Sequence, residues 1–382
     1  MNQAIRLAVL VAMTWLCHAT LGAQSAARLV EVQRIVGAEQ DLSLVGLAAR
    51  GSDGTIWISQ PQDMNVVAFS PSGVKVRTIG RRGEGPGAFG GPPAGLIPSE
   101  DGLMVFDQQL QRITRFGRPG LGVATTPVVR PGALSGSSPA ILMSAGPEYA
   151  FYISVNRSRL VGGSRDGAPD RVEIHVGAID GSTHRLLAAS DYHSCGMGVR
   201  TGTSQRQIAI PFCHGTFRGV SPEGRTVAIA EPVELGAGQT AVDVRIYSVT
   251  GALLSRSRHA LGPSIIPKPS VDSRVARLRE RYKDPEGSAI LDAIIKSGLI
   301  PQTYPPVAAV TVSDDGEAWV TTRSGPQGTR GVLVIRPDGS LRGRASLAPG
   351  TRIGWASDGH ALVVEETPDG LQDVVLYRLE GQ

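Results

Sequence analysis

The chain has 382 residues, 41% of them hydrophobic and 19% charged, a balance that excludes a disordered chain. Lysine plus arginine exceed aspartate plus glutamate by 38 − 34 = +4; no basic run or known module accompanies the excess, which argues against nucleic-acid binding. The 48 glycines and 26 prolines lack the period of collagen, so they mark frequent turns between short strands.

The N-terminus carries Arg6, a mainly apolar run from Leu7 to Leu16, and then the small residues Gly22 and Ala23. That order predicts a secretory signal peptide over residues 1–23, with export to the periplasm or the extracellular space. Residues 24–382 then form one β domain, with a charge near 37 − 34 = +3 once Arg6 is gone. The apolar run is too short for a comfortable membrane span, so no stable insertion is expected. Thr14-Trp15-Leu16 ahead of Cys17 is a poor lipobox. Export leaves Cys195 and Cys213, which an oxidising compartment favours pairing.

A turn then recurs along the chain. Ser52-Asp53-Gly54, Glu100-Asp101-Gly102, Asp314-Asp315-Gly316 and Ser357-Asp358-Gly359 each precede a short apolar strand, and Pro222-Glu223-Gly224 is a looser copy. Asp-Gly favours hairpins because glycine accepts positive φ and aspartate tolerates it. A second turn recurs at Gly73, Gly120, Gly181, Gly251 and Gly339, with a sixth candidate at Gly381. Four antiparallel strands in a repeat of roughly 40–50 residues make a propeller blade. Trp57 and Trp319 hold the same repeat position and read as core.

The last repeat stops at Gly381 and lacks an outer strand. Leu29 to Val36 offers a spare one, and pairing it there would remove two sheet edges. The expected fold is all-β: a six-bladed β-propeller closed by its N-terminal strand. Seven blades stay open, because residues 121–216 repeat poorly. Val271, Val275, Leu278 and Tyr282 fall at helical spacing, as do Ile290, Leu291, Ile294 and Ile295. Ser270 is the expected N-cap, Pro285 the end of the first helix, and Gly298 the terminator of the second. This helical insertion, about 270–299, would sit between blades 4 and 5, as a lid over one face. Its Arg274, Arg277, Arg279 and Arg281 read as a solvated face.

Residues 80–120 carry Gly80-Arg81-Arg82-Gly83-Glu84-Gly85-Pro86-Gly87-Ala88-Phe89, then Leu96-Ile97, Asp101-Gly102, Val105-Phe106-Asp107, Arg112-Ile113 and Phe116. This unit resembles the NHL repeat, whose pattern is a glycine-rich loop ending in phenylalanine, a D-G turn, V-x-D and R-I-x-x-F. Residues 46–79 carry a fainter copy. The resemblance implies a six-bladed propeller of a family holding scaffolds that bind proteins, RNA or glycans, and a minority of enzymes. The glycine-rich loop is not a phosphate loop, since no Gly-Lys-Ser/Thr follows and no helix opens there. It reads as a tight crossing between blades, with Phe89 plugged between sheets.

Chemistry is sparse. His193-Ser194-Cys195 and Cys213-His214 form a Cys₂His₂ set on paper, but not at zinc-finger spacing, and a disulfide is the favoured reading. Where amidating lyases of similar fold carry histidines, this chain has Asp107-Gln108-Gln109 and Ser59-Gln60-Pro61. Gluconolactonase-like propellers hold a divalent cation with Glu, Asn and Asp; Asn65, Asp107 and Asp243 are the available counterparts. No G-x-S-x-G elbow is present. Loops 81–94, 107–111 and 365–373 would share one face and present Arg81, Arg82, Glu84, Asp107, Gln109 and Asp369, a mixed charge that suits protein contact. The expectation is a monomeric, non-catalytic binding scaffold for a protein or peptide partner, with no cofactor. The alternative is a metal-dependent lactonase or lyase at the mouth of the central channel.

Overall fold

The computed structural model describes residues 27–42, 44–118, 122–134, 140–156, 171–191, 195–201, 204–324 and 329–381. The leader expected over 1–23 lies outside the described residues, as do Gly120 and His193. Six four-stranded antiparallel sheets follow one another as blades. Blade 1 is Ala48–Arg50, Ile56–Gln60, Asn65–Phe69 and Lys75–Ile79; blade 2 is Gly95–Ser99, Gly102–Asp107, Arg112–Gly117 and Val123–Pro127. Blade 3 is Ile141–Ala145, Tyr149–Asn156, Arg171–Ala178 and His184–Asp191; blade 4 is Phe217–Val220, Thr226–Gly236, Gln239–Ser248 and Leu253–Pro263. Blade 5 is Val307–Val312, Ala318–Ser324, Thr329–Ile335 and Leu341–Leu347.

Blade 6 has Arg352–Ser357, His360–Glu366 and Gln372–Glu380, and its outer strand is Arg28–Ile35. The pairing is antiparallel, from Arg28 opposite Glu380 to Ile35 opposite Val374, with a bulge between Glu31 and Gln33. Arg34 fixes this closure electrostatically. Its guanidinium reaches Glu31 at 2.7 Å, Asp373 at 2.9 Å and Glu365 at 3.0 Å. Those acids, Glu31 first, hold the guanidinium above its ordinary pKa. The other oxygen of Asp373 accepts from the Gly37 N–H at 2.9 Å.

The Asp-Gly turns sit where the first and second strands of a blade meet. Gly54, Gly316 and Gly359 there have φ of 84°, 83° and 70°, a region open mainly to glycine. Blade 3 makes the same connection without Asp-Gly: the Gly146 N–H donates to the Tyr149 carbonyl at 2.8 Å. Trp57 and Trp319 are both core. The crossing from blade 1 to blade 2 is tight because Gly80 packs on the Phe89 ring. A Cβ at Gly80 would lie 2.1 Å from that ring, and φ there is 82°. Phe89 is fully buried and meets Phe116 edge-on at 5.8 Å. Arg112 donates to the carbonyls of Glu84, Gly85 and Ala88 and holds the loop in shape.

Between blades 4 and 5 stand two helices, α1 (Lys268–Arg281) and α2 (Pro285–Lys296). Two sequence expectations are corrected here. Ser270 lies inside α1, whose N-cap position is Pro267. Pro285 does not end α1; it opens α2 at the first helical position, where its missing N–H costs nothing. Asp284 caps α2 by accepting from the Gly287 N–H at 2.9 Å. Gly298 follows α2 with φ of 69°, the expected terminator.

The poorly repetitive stretch holds blade 3 and a two-stranded hairpin, Gly196–Thr201 with Ser204–Ala209, rather than a seventh blade. The Cys195–Cys213 disulfide closes the base of that hairpin. Ile290 and Ile294 of α2 pack on Ile208 and Ile210, and Arg206 pairs with Asp284 while its guanidinium lies 5.4 Å from the Tyr282 ring centre. Hairpin and helices thus form one satellite unit.

Phe89→Ala should cost about 3–5 kcal/mol, because the cavity it leaves is walled by two blades; denaturant unfolding measures it. Joint replacement of Cys195 and Cys213 by serine should weaken the satellite by about 3 kcal/mol. Hydrogen exchange at the Ile210 amide, which donates to the Cys195 carbonyl, should accelerate while the blade strands keep their protection.

Candidate functional site

The first strand of each blade lines the ring axis, so residues from all six blades wall one central cavity of about 380 Å³. The repeated topology starts every inner strand at the same end of that channel. The same end carries the crossings between blades and the loops joining second to third strands. The Asp-Gly turns lie at the opposite end. Ala48, Leu96, Met143, Val220, Val310 and Trp355 show the general character of the wall. Only Arg218 and Arg352 break it with charge, and no aspartate, glutamate, histidine or asparagine lines the channel among the described residues.

Both arginines stand near the start of their inner strands, hence at one mouth. Arg218 donates to the Ser190 hydroxyl at 2.9 Å and to the Thr216 carbonyl at 3.2 Å, and its Nε is buried with no partner. Glu231 is near it but pairs with Arg245 at 2.6 Å. Arg352 donates to the Val45 carbonyl. Burial pushes both guanidiniums below their ordinary pKa, with the Arg245 charge adding to the effect at Arg218 against Glu231. Arg330, which donates to the Thr351 carbonyl, is lowered by burial and by the charge of Arg323. The mouth is therefore rich in cations held by neutral oxygens rather than by carboxylates.

The opposite end brings several acids together. Burial first, and then the charges of Glu223, Asp315 and Asp358, raise the Asp314 carboxyl to about 6. These acids come from the turns of blades 4, 5 and 6, which the ring brings together.

The residues expected to form a binding face separate into two kinds. Arg81, Arg82, Glu84 and Gln109 are exposed at the arginine-bearing end, as is Asp369. Asp107 is fully buried and both oxygens are used: one accepts from the Gly90 N–H at 2.7 Å, the other from the Leu110 N–H at 3.0 Å. It joins loop 81–94 to loop 107–111 and offers nothing to a partner. The counterparts of a cation site do not converge. Asp243 is held by Arg256 at 2.9 Å and Arg258 at 2.8 Å of its own outer strand, with its pKa lowered to about 2, Arg258 first. Asn65 lies in the third strand of blade 1. The cysteines are bonded to each other, and His214 instead bonds the Thr303 carbonyl at 3.0 Å. Arg218 and Arg352 were not singled out in sequence, since they carry no motif. Counting back from the Pro222-Glu223-Gly224 and Asp358-Gly359 turns puts an arginine where other blades have small or apolar residues, and that was the available signal.

Asp314 generates a pH prediction. Its folded pKa lies above its unfolded value, so the native state binds the extra proton and stability falls as pH rises from about 4 through about 6. Asp314→Asn should raise the melting temperature at pH 7.5, and the gain should vanish below pH 4. Parallel thermal scans at the two pH values check this.

No family model matches the chain, and no curated protein matches its sequence. Solved structures align with it end to end at low identity. A member of the DUF4221 family from Bacteroides vulgatus is 9% identical with a TM-score of 0.47, covering 94% of this chain and 100% of that one. The calcium-binding protein regucalcin from Agrobacterium tumefaciens is 12% identical with a TM-score of 0.40, covering 94% and 97%. A streptogramin B lyase is 14% identical with a TM-score of 0.39, covering 94% and 99%.

Proposed function

We propose that this chain is an exported, monomeric, non-catalytic binding scaffold that receives an acidic segment of a protein or peptide at the arginine-bearing mouth of its channel. One observation carries the reading: Arg218 and Arg352 enter an otherwise uncharged channel, and neither hydrogen-bonds a carboxylate among the described residues. A buried cation without a counter-charge is costly, and an incoming carboxylate supplies that charge through short, paired hydrogen bonds. The exposed Arg81, Arg82, Glu84 and Gln109 stand at the same end and supply a rim. The likeness of residues 80–116 to an NHL repeat fits a propeller that presents loops to a partner. The Cys195–Cys213 disulfide and the leader pattern of residues 1–23 support export. The lactonase or lyase alternative needs several oxygen or nitrogen donors meeting at a channel mouth. The channel wall offers backbone, apolar groups and guanidiniums instead.

Binding of the mature chain to a defined array of acidic, neutral and basic peptides tests the proposal. Acidic members should bind preferentially, and Arg352→Gln and Arg218→Gln should each weaken them about tenfold. Retention independent of peptide charge would overturn it, as would near-stoichiometric divalent metal in natively purified protein together with turnover of a lactone.

A further inference from the structure

We infer that a second pocket, between α1, the disulfide-bridged hairpin and blade 5, binds a small molecule in which an oxyanion is attached to an apolar body. This site is separate from the channel and goes beyond the scaffold reading. The arginines of α1 read in sequence as one solvated face, and Arg274, Arg277, Arg279 and Arg281 are all exposed, though they differ in their surroundings. Arg279 pairs with Asp292 at 3.2 Å across the helical hairpin. Arg274 and Arg277, three residues apart and therefore on one face of the helix, line a cavity of about 470 Å³. Arg323, from the second strand of blade 5, lines it as well. No aspartate or glutamate lines this cavity, and none pairs with these three arginines among the described residues.

The placement is not a product of local sequence. Arg323 lies roughly fifty residues from the helix, and the two meet because the insertion folds back over the ring. Three like charges around one cavity repel one another through solvent, and the Arg323 charge also lowers the pKa of nearby Arg330. An oxyanion relieves that repulsion, and the guanidinium fork matches phosphate and carboxylate geometry. The rest of the wall is apolar. Phe212 contributes its ring, fixed edge-on against Tyr304 at 5.6 Å, and the Cys195–Cys213 disulfide lies beside it. A guanidinium cluster alone would take inorganic phosphate. An aromatic and a disulfide within the same cavity favour a ligand that carries an apolar group behind its anion.

Titration calorimetry of the mature chain at low salt tests this with three probes: phenyl phosphate, inorganic phosphate and benzyl alcohol. Phenyl phosphate should bind saturably and more tightly than inorganic phosphate, and benzyl alcohol should not bind. Arg274→Gln and Arg323→Gln should each weaken phenyl phosphate about tenfold. Arg279→Gln, whose charge is already paired, should leave it unchanged. Arg323→Gln lies on a blade strand, so it reports even if a helix variant loosens the satellite. Absence of saturable anion binding, or equal affinity in the parent and Arg323→Gln, would overturn the site. Equal affinity for the two phosphates would overturn the apolar part of its chemistry, and loss of phenyl phosphate in Arg352→Gln would assign the binding to the channel instead.

Discussion

The structure depends on one pairing, that of Arg28–Ile35 with Gln372–Glu380. A ring of blades made from a linear chain would otherwise leave a seam, with a three-stranded last sheet and an unpaired edge open to association. The first described strand fills that place. Arg34 adds a charged clasp across the seam, holding Glu31 on its own strand and Glu365 and Asp373 on blade 6. Because the ring is closed, its inner strands are held around a common axis, and the central cavity is a consequence of that geometry. The residues that face it are set by blade register rather than by any local motif.

On this scaffold the chain places its elaborations at one end. The hairpin precedes blade 4 and the helices precede blade 5, both in crossings that begin where the inner strands begin. Satellite unit, exposed loops and channel arginines therefore share a face. The turn end carries short connections and a set of converging acids. The division follows from topology: crossings between blades tolerate insertion, whereas tight Asp-Gly hairpins do not.

Much of the architecture was legible in the sequence because turns impose chemical demands. A position at positive φ calls for glycine, so Gly54, Gly316 and Gly359 announce blades 1, 5 and 6. Blade 3 was opaque because its corresponding turn is Gly146-Pro147-Glu148, which carries no Asp-Gly signature. Pro285 was misread because proline both stops a helix and opens one, and only the position of Asp284 as cap separates the two. The site was less legible than the fold. Asp107 looked like a loop residue offered to a partner, yet its carboxylate turns inward to bind two backbone amides. Arg218 and Arg352 lie 134 positions apart in sequence (352 − 218) and line one channel only because the ring closes. Arg274 and Arg277 line a cavity with Arg323 because the helical insertion folds back over the ring.

The arginines at one mouth of the channel and the acid cluster at the other have an electrical consequence. An inner strand such as Val307–Val312 has 6 residues, a rise of about 20 Å at about 3.3 Å per residue. The screening length in physiological salt is about 8 Å, and it grows to about 30 Å at 0.01 M. At physiological ionic strength the two ends are therefore independent poles for anything approaching through solvent. In dilute buffer the channel arginines and the turn acids are felt together, so the rate of encounter with a charged visitor should depend on salt.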